Sequence, residues 1–247
     1  MPHEDLDADK DVVAGDLPPS ERVPLSRERI VGEAIAFIDD QGLPGLTMRA
    51  LGQRLGVEAM SLYRYVPGRE ALLDLVVTQI IDGLAADGDV LDSPQHGWQD
   101  FLQRLAHGVR RVALAHPKVF PLVASRPAEA PWLRPPLRSL DWVEMFLAGL
   151  AKEGFDDNAA VSAYRAFTSF LLGHLLLEVA AHGADVGPLD VLDEETEPSP
   201  TRLEAFPSVR RLRPALSLDH AAVEFEEALE ELLNRIALLT SAKTTDL

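Results

Sequence analysis

Residues 45–65 read GLTMRALGQRLGVEAMSLYRY and carry two short helical patterns on either side of a glycine. Thr47 is a typical helix N-cap, and Gly56 suits the left-handed residue that ends many helices. A second short helix is predicted from about residue 59 to 65, before a proline and a glycine. Two short helices joined by a glycine-containing turn have the proportions of a helix-turn-helix, whose second helix can enter a major groove of DNA.

The rest of the chain is also predicted to be helical. Ser26 is expected to cap a first helix over 27–41, and Arg69 to begin a longer one that ends near residue 86. Apolar residues at helical spacing predict further helices over about 98–116, 137–153, 158–182 and 218–239. No stretch shows sustained alternation with a period of two. The predicted fold class is therefore all-α.

Composition divides the chain into regions. An acidic tail over 1–24 is predicted to be disordered, because its few apolar residues make no continuous face. A three-helix helix-turn-helix domain is predicted over 25–70, and a larger helical regulatory and dimerisation domain over 71–242. Within the second domain, 183–205 is rich in Gly, Pro, Asp and Glu, and is predicted to be a mobile loop.

Charge is unevenly distributed along the 247 residues. The formal net charge is −17, which would argue against nucleic-acid binding if it were uniform. Sixteen of these negative charges fall in 1–24, 183–205 and 219–235. Between Gly45 and Arg69, by contrast, four arginines accompany a single glutamate. The helix-turn-helix is thus predicted to carry a local basic patch.

Several functional classes are disfavoured. The chain has no cysteine, which excludes disulfides, thiolate metal ligands and cysteine nucleophiles. The longest notable uncharged stretch, 166–177, has 12 residues and is too short to span a bilayer. The N-terminus lacks the pattern of a secretory signal. We therefore expect no membrane association and a cytoplasmic location.

The exposed side of the second short helix carries groups suited to nucleic acid. Hydroxyl and guanidinium donors lie close together at Ser61, Tyr63, Arg64 and Tyr65. Such donors suit phosphate oxygens and base edges. The alternative is an ordinary solvated helix pair with no role in DNA binding.

A family resemblance lies in residues 26–75. Its landmarks are Ile30, Ala34, Gly42, Gly45-Leu46-Thr47, Arg49, Leu51, Leu55-Gly56-Val57, Ser61-Leu62-Tyr63, Val66 and Arg69 with Leu72-Leu73. Together they resemble the DNA-binding domain of the TetR family of bacterial repressors. Further along, Trp98-Gln99-Asp100-Phe101-Leu102, Arg126-Pro127 and Glu153-Gly154-Phe155 look like landmarks of the regulatory domain of tetracycline repressors. The resemblance implies a regulator rather than an enzyme.

The resemblance also implies roles on the helix-turn-helix surface. Arg49 is expected to reach a guanine edge, and Met60 and Ser61 to lie against bases. The residues expected to hold the phosphate backbone are Thr47, Tyr63, Tyr65 and Arg69. Ala59 and Arg64 depart from tetracycline repressors, which have a base-reading glutamine and an aromatic residue there. The protein is therefore expected to recognise an operator that differs in sequence from that of tetracycline repressors, with Arg64 among the contacting residues.

A homodimer on a near-palindromic operator is implied as well. The helices at 158–182 and 218–239 are expected to form a four-helix bundle with those of a second subunit. Small residues that would permit close approach are Ala160, Ala163, Ala166, Gly173 and Ala180. The alternative is that both helices belong to the core of a monomer.

A ligand pocket is implied in the second domain. The residues expected to line it are Leu105, Val109, Leu122, Ser125, Arg126, Trp142, Phe146, Phe170 and His174. Four more aromatics are candidates, although a plain core explains them equally well: Phe120, Trp132, Tyr164 and Phe167. His174 lies four positions before Glu178, which makes these two the one histidine–carboxylate pair that the sequence suggests.

Departures from tetracycline repressors change the expected ligand. Leu122 and Ala85 stand where those proteins place histidines, and Leu105 where they place an asparagine. Leucine has no lone pair to offer a metal, so no magnesium–tetracycline complex, no metal site and no cofactor are expected. The effector is predicted to be mainly apolar and oriented by a few polar groups.

The resulting hypothesis is a ligand-responsive repressor. Effector binding would shift the helix that begins at Arg69 and release the homodimer from its operator. The rival is an all-helical small-molecule carrier or enzyme without a DNA role, and a second rival is an activator or a regulator without an effector. The sequence leaves open the effector, the operator and target genes, the sign of regulation and the role of the acidic segments 1–24 and 183–205.

Overall fold

A computed structural model describes residues 24–85, 96–126, 132–135, 139–186 and 204–241, and the regular structure within them is helical. The helices are α1 (Arg27–Gln41), α2 (Met48–Leu55), α3 (Ala59–Leu62), α4 (Arg69–Ala85), α5 (Trp98–Ala115), α6 (Phe120–Ser125), α7 (Leu140–Lys152), α8 (Asp157–Ala181), α9 (Pro207–Leu216) and α10 (Ala221–Ser241), with a short 3-10 helix at Leu43–Gly45. The all-α prediction is confirmed. Almost all of the predicted tail and most of the predicted loop 183–205 lie outside the described residues.

Local capping explains where the first helices begin and end. The Ser26 hydroxyl accepts a hydrogen bond from the Arg29 backbone N–H at 3.2 Å, and α1 spans the predicted residues. The Thr47 hydroxyl accepts from the Ala50 backbone N–H at 3.0 Å in the same way. Gly56 ends α2 in the left-handed conformation, with φ of 70°.

Other elements differ from the predicted bounds. The third helix ends at Leu62 instead of residue 65, because the Tyr65 backbone N–H bonds to the Leu62 carbonyl at 2.9 Å in a tighter, three-residue turn. The helix predicted from residue 137 begins after a Ser139 cap. Both α6 and α9 were absent from the prediction. The whole of α9 is exposed.

The described residues form two hydrophobic cores. The first contains buried residues of α1, α2, α3 and α4, and includes Leu72, Val76 and Ile80, so α4 packs with this core well past the predicted boundary at residue 70. The second is built from α5, α7, α8 and α10, with Leu84 at the far end of α4. One helix, α4, therefore runs from the first core into the second.

Helix α8 is the centre of the second core. It is long and apolar enough to cross a membrane by length and composition, which the 12-residue stretch considered in the sequence did not indicate. Its surroundings are those of a core helix, because it packs against α5, α6, α7 and α10. It also buries Glu178, whose carboxylate pairs with Arg110 of α5.

Candidate DNA-binding surface and ligand pocket

Helices α2 and α3 and the turn after α3 present polar residues to solvent. Leu62 and Val66 are fully buried and fix α3 and the turn that follows it against the first core. Met60 is 74% exposed, and Tyr63 and Tyr65 are 44% and 37% exposed. Thr47, Arg49 and Arg64 are exposed, and Ser61 is half-buried. All seven of these predicted DNA-contact residues can therefore be reached from outside.

The basic patch on this surface is smaller than the charge count suggested. Arg54 is paired with Glu33 and Asp40, at 2.5 Å and 3.0 Å, so its charge is balanced within the domain. Arg49 and Arg64 make no ion pair in the described part of the chain. Among the four arginines between Gly45 and Arg69, these two are the ones without a carboxylate partner in the described residues.

Arg69 has a structural partner that the sequence did not suggest. Its guanidinium donates hydrogen bonds to two main-chain carbonyls, that of Leu46 at 2.9 Å and that of Leu43 at 3.2 Å. Both carbonyls lie in the connection between α1 and α2. Arg69 therefore fastens the start of α4 to the loop that leads into the helix-turn-helix, and its predicted role in holding phosphate remains a prediction.

A pocket lies in the second domain, between α4, α5, α6, α7 and α8. The space between its walls, counted out to the solvent at its open side, is about 740 Å³. Apolar side chains form most of the lining: Ile81, Leu84, Leu105, Val109, Phe120, Val123, Trp142, Phe146, Phe167, Leu171 and Leu172. Ser139, Tyr164 and Thr168 add hydroxyl groups, and no charged side chain is among the described lining residues.

Few polar groups in this pocket are available to a ligand. The Tyr164 hydroxyl donates a hydrogen bond to the Pro135 carbonyl at 2.9 Å. Burial raises the pKa of Tyr164 to about 12, against a smaller opposing effect of a hydrogen bond with Thr168, so the phenol is neutral at physiological pH. The indole N–H of Trp142 is buried and has no hydrogen-bond partner among the described residues.

The structure brings together four of the nine residues predicted to line the pocket. These are Leu105, Val109, Trp142 and Phe146. Leu122 packs into the first core instead, and Ser125 is exposed. Phe170 and His174 lie on the side of α8 that faces α10, where both contact Phe225.

Arg126, the remaining predicted pocket residue, joins the two domains. It donates hydrogen bonds to the Glu70 side chain at 2.8 Å and to the Glu70 carbonyl at 3.1 Å. This pairing lowers the pKa of the Glu70 carboxyl, chiefly through the hydrogen bond from Arg126. The guanidinium is thus held at the start of α4, away from the residues that line the pocket.

The suggested His174–Glu178 pair is also corrected. Glu178 is bound by Arg110, whose Nε lies 3.0 Å from a carboxylate oxygen, and Arg110 also stacks over the Phe225 ring at 5.1 Å. A buried carboxylate is stabilised by a permanently charged cation such as a guanidinium, which explains this choice of partner. The hydrogen bond to Glu178 raises the pKa of Arg110. No group of three potential metal ligands occurs in the described ranges.

Sequence reasoning missed several pocket residues. Ile81 and Leu84 lie on α4, which the sequence suggested only as the helix that transmits the effector signal. Their apolar character was a usable signal, since they continue the apolar residues of α4 beyond Ile80. Thr168 and Leu171 lie four positions after the candidate residues Tyr164 and Phe167 on α8, so the 3.6-residue period could have placed them on the same sides of the helix.

Helix α6 contacts both domains although it has only six residues. Phe120 and Val123 line the pocket, whereas Leu122 and the preceding Val119 are buried in the first core. Polar contacts from the adjoining residues reach α1: His116 Nδ1 lies 2.7 Å from an Asp39 carboxylate oxygen. The pocket wall is therefore continuous with the packing of the helix-turn-helix domain.

Family models match most of the chain. The model described as "Tetracyclin repressor-like, C-terminal domain" matches residues 92–238, and that described as "Bacterial regulatory proteins, tetR family" matches residues 30–76. The chain belongs to the TetR family. The second family match begins in α1 and ends in α4, so it contains the whole candidate DNA-binding surface.

Relatives and solved structures agree with this TetR-family assignment. Tetracycline repressor protein class D of Escherichia coli is 30% identical over 213 residues, which cover 85% of this chain and 88% of that protein. The repressor DrrR1 of Streptomyces coeruleorubidus is 32% identical over 149 residues, which cover 60% of this chain and only 52% of that protein. A crystal structure of a possible TetR-family regulator from Streptomyces coelicolor A3(2) has a TM-score of 0.67 at 29% identity, covering 87% of this chain and 100% of that one.

The family assignment excludes one of the hypotheses raised by the sequence. The chain is a TetR-family transcriptional repressor with an N-terminal DNA-binding domain and a C-terminal ligand-binding domain, and it is not an enzyme. The hypothesis of a carrier or enzyme without a DNA role is therefore overturned.

Proposed function

We propose that this TetR-family repressor binds a near-palindromic operator as a homodimer and leaves it when an uncharged, mainly apolar molecule fills the pocket. The observation that carries the proposal is the position of α6. Phe120 and Val123 face the pocket, while Val119 and Leu122 are buried in the core of the DNA-binding domain. A molecule that displaces the pocket wall therefore also disturbs the packing behind the helix-turn-helix.

The proposed DNA contacts use the exposed groups of α2, α3 and the turn after α3. Arg49 is assigned to a guanine edge, and Met60, Ser61 and Arg64 to neighbouring bases. Thr47, Tyr63 and Tyr65 are assigned to phosphates, with Arg69 as a further candidate. Because few cations on this surface are unpaired, few counterions are released from the DNA on binding, and operator affinity should fall less with rising salt than it does for a strongly basic DNA-binding surface.

The proposed dimer uses α8 and α10. One stripe of α8 is exposed along its length, at Val161, Arg165, Ser169, Gly173 and Leu177. Leu177 is 75% exposed, which is unusual for a leucine in a helix that otherwise packs into a core. Of the small residues considered in the sequence, Ala160 and Ala163 are buried within the subunit, so Gly173 is the better candidate for close approach of a second copy.

Two connections carry the effector signal in this proposal. Helix α4 contributes Ile80 to the first core and Ile81 and Leu84 to the pocket. Helix α6 makes the second connection. Movement of either changes the separation of the two recognition helices, which must match major grooves about 34–36 Å apart. A coupling of about 1–3 kcal/mol suffices to change operator affinity about 5- to 150-fold.

A gel-shift titration tests the proposal. DNA from upstream of the protein's own gene is compared with random DNA of equal length, over a range of salt concentrations. We expect selective binding that Arg49→Ala weakens about 5- to 150-fold, since a guanine contact contributes about 1–3 kcal/mol. Arg210→Ala, which removes an exposed arginine from α9, serves as the matched control.

Equal affinity for both DNAs at every salt concentration would contradict operator recognition. Selective binding that no compound in a ligand screen relieves would favour a regulator without an effector. Transcription from the bound promoter in a purified system distinguishes repression from activation. The proposed location of this activity is the cytoplasm, where the DNA is accessible.

A further inference from the structure

We propose that Trp142 selects the effector, and that the effector is an uncharged ring compound whose oxygen accepts a hydrogen bond from the Trp142 indole N–H. This inference rests on the pocket being the effector site, as proposed above. It adds the chemical class of the ligand and names the residue that distinguishes that class from plain hydrocarbons.

The indole N–H of Trp142 is a donor without an acceptor. It is buried, and no described residue accepts its hydrogen bond. Buried polar groups are normally paired, since an unpaired donor has lost its contact with water and gained nothing in return. Trp142 itself lines the pocket, and the proposal requires its ring to turn about the side-chain bonds so that the N–H faces the ligand.

The phenol hydroxyl of Tyr164, another donor in the pocket wall, is already engaged. The Tyr164 hydroxyl donates to the Pro135 carbonyl, and it interacts with Thr168. Ser139 accepts the Trp142 backbone N–H as the cap of α7. Trp142 therefore carries the buried donor that a ligand oxygen can take without breaking a hydrogen bond between described residues, and the Ser139 hydroxyl, which here only accepts, can donate to a second ligand atom.

The lining sets the charge of the ligand. None of the described lining residues is ionisable at neutral pH, because Tyr164 remains a neutral phenol. A charged ligand would lose its hydration without meeting an opposite charge, which disfavours its binding. An uncharged molecule with an acceptor oxygen matches the unpartnered indole donor.

The shape of the walls favours flat rings. Phe146 contacts Tyr164 edge to face at 5.7 Å between ring centroids, and it lies 5.5 Å from the Phe167 ring. Together with the indole, these rings offer both faces and edges to an aromatic ligand. An aromatic ketone combines the flat hydrocarbon surface with the required acceptor.

The test uses 9-fluorenone and fluorene as probes, which share a ring system and differ by the ketone oxygen. Calorimetry measures the affinity of each probe for the full-length protein and for Trp142→Phe and Trp132→Phe. Trp132 is 76% exposed and provides the matched control. We expect the wild type and Trp132→Phe to prefer fluorenone about 2- to 10-fold, the range of one neutral hydrogen bond. Trp142→Phe should bind both probes equally.

A second readout uses the unmodified protein. The indole N–H signals of Trp98, Trp132 and Trp142 are observed by nitrogen–proton correlation spectroscopy and assigned with single Trp→Phe variants. Fluorenone should shift the Trp142 signal downfield, as a new hydrogen bond does, and fluorene should not. This measurement stands even if Trp142→Phe does not fold.

Three outcomes overturn the inference: no binding of either probe, no preference for fluorenone in the wild type, or the same preference in Trp142→Phe. An unmoved Trp142 signal in the fluorenone complex overturns it too. The gel shift separates this result from the proposed function. If the protein binds its operator but neither probe, the proposed repressor function stands and the effector belongs to another chemical class. If it binds fluorenone through Trp142 but does not recognise an operator, the ligand site stands and the proposed function fails.

Discussion

A Cβ atom placed on Gly52 would lie 2.9 Å from the carbonyl oxygen of Val57, closer than real Cβ atoms approach the backbone. The Val57 N–H also donates a hydrogen bond to the Gly52 carbonyl at 2.9 Å. Helix α2 and the turn that leads to α3 are thus in direct backbone contact at this position. Glycine at residue 52 sets the distance between the two helices of the DNA-binding motif.

Gly52→Ala should damage DNA binding and stability together. The added methyl group pushes the turn away from α2, which shifts α3, and overpacking of this kind costs about 1–3 kcal/mol. We expect at least about a tenfold loss of operator affinity, since 1.4 kcal/mol corresponds to tenfold. Gly32→Ala in α1 is the matched control, because a Cβ there meets nothing within 4 Å. Urea unfolding and gel shifts measure both effects, and equal behaviour of the two variants would contradict the packing argument.

Arg69→Ala should lower stability, in contrast to Arg49→Ala. Removing the guanidinium takes the Arg69 donor from the Leu46 carbonyl and leaves the Leu43 carbonyl with the Leu46 N–H as its donor, with an expected loss of about 1–3 kcal/mol in the free energy of unfolding. Arg49 is exposed, so its removal should leave the unfolding transition unchanged while weakening operator binding. If Arg69→Ala keeps full stability and instead reduces the salt dependence of DNA binding, Arg69 is a phosphate contact, as the sequence first indicated.

Leu177→Glu should separate the proposed dimer into monomers. A charge at this exposed position on α8 would be buried against a second copy, which is costly when no partner charge is present. Sedimentation velocity measures the change in mass, and operator affinity should fall with it. Leu114→Glu, at a leucine of α5 that is 36% exposed, is the control and should remain dimeric. A dimeric Leu177→Glu protein would place the subunit interface elsewhere.

The Arg126–Glu70 contact should give acid-sensitive stability. Its hydrogen bond lowers the pKa of Glu70 below the ordinary value of 4.5, so the folded state favours the ionised carboxylate. The stabilisation is complete above about pH 4.5 and is lost as the pH falls through the lowered pKa. Thermal unfolding of Glu70→Gln should therefore show a weaker dependence on pH in this acidic range than the wild type. The exposed Glu144 of α7 offers a control in Glu144→Gln, and an unchanged pH profile in Glu70→Gln would argue against the contact.

The elements that local chemistry determines could be predicted from the sequence. Ser26, Thr47 and Gly56 act on backbone groups within a few residues, and the bounds of α1 and α2 followed from them. The end of α3 was harder, because the tighter turn at Tyr65 depends on the packing of Leu62 and Val66 below it. In the exposed α9, Val209, Leu212 and Leu216 follow a helical spacing, but the helix contains Pro214 and none of its residues is buried.

The candidate sites were only partly predictable for a related reason. Helical periodicity shows which residues share a face but not which of two cores that face meets, and Phe120 and Leu122 ended in different ones. Counting charges likewise gave four arginines near the motif. It could not show that Glu33 and Asp40 from α1 would take Arg54, or that main-chain carbonyls would take Arg69.

The short helix α6 has an evolutionary consequence. If the proposed function holds, a substitution at Phe120 or Val123 would change both the compound that fits the pocket and the coupling to DNA binding, since Val119 and Leu122 beside them are buried in the first core. Trp142, Phe146 and Leu171 on the opposite wall belong to the second core alone. Under the same proposal, new ligand preferences would arise on α7 and α8 without altering the response to the ligand.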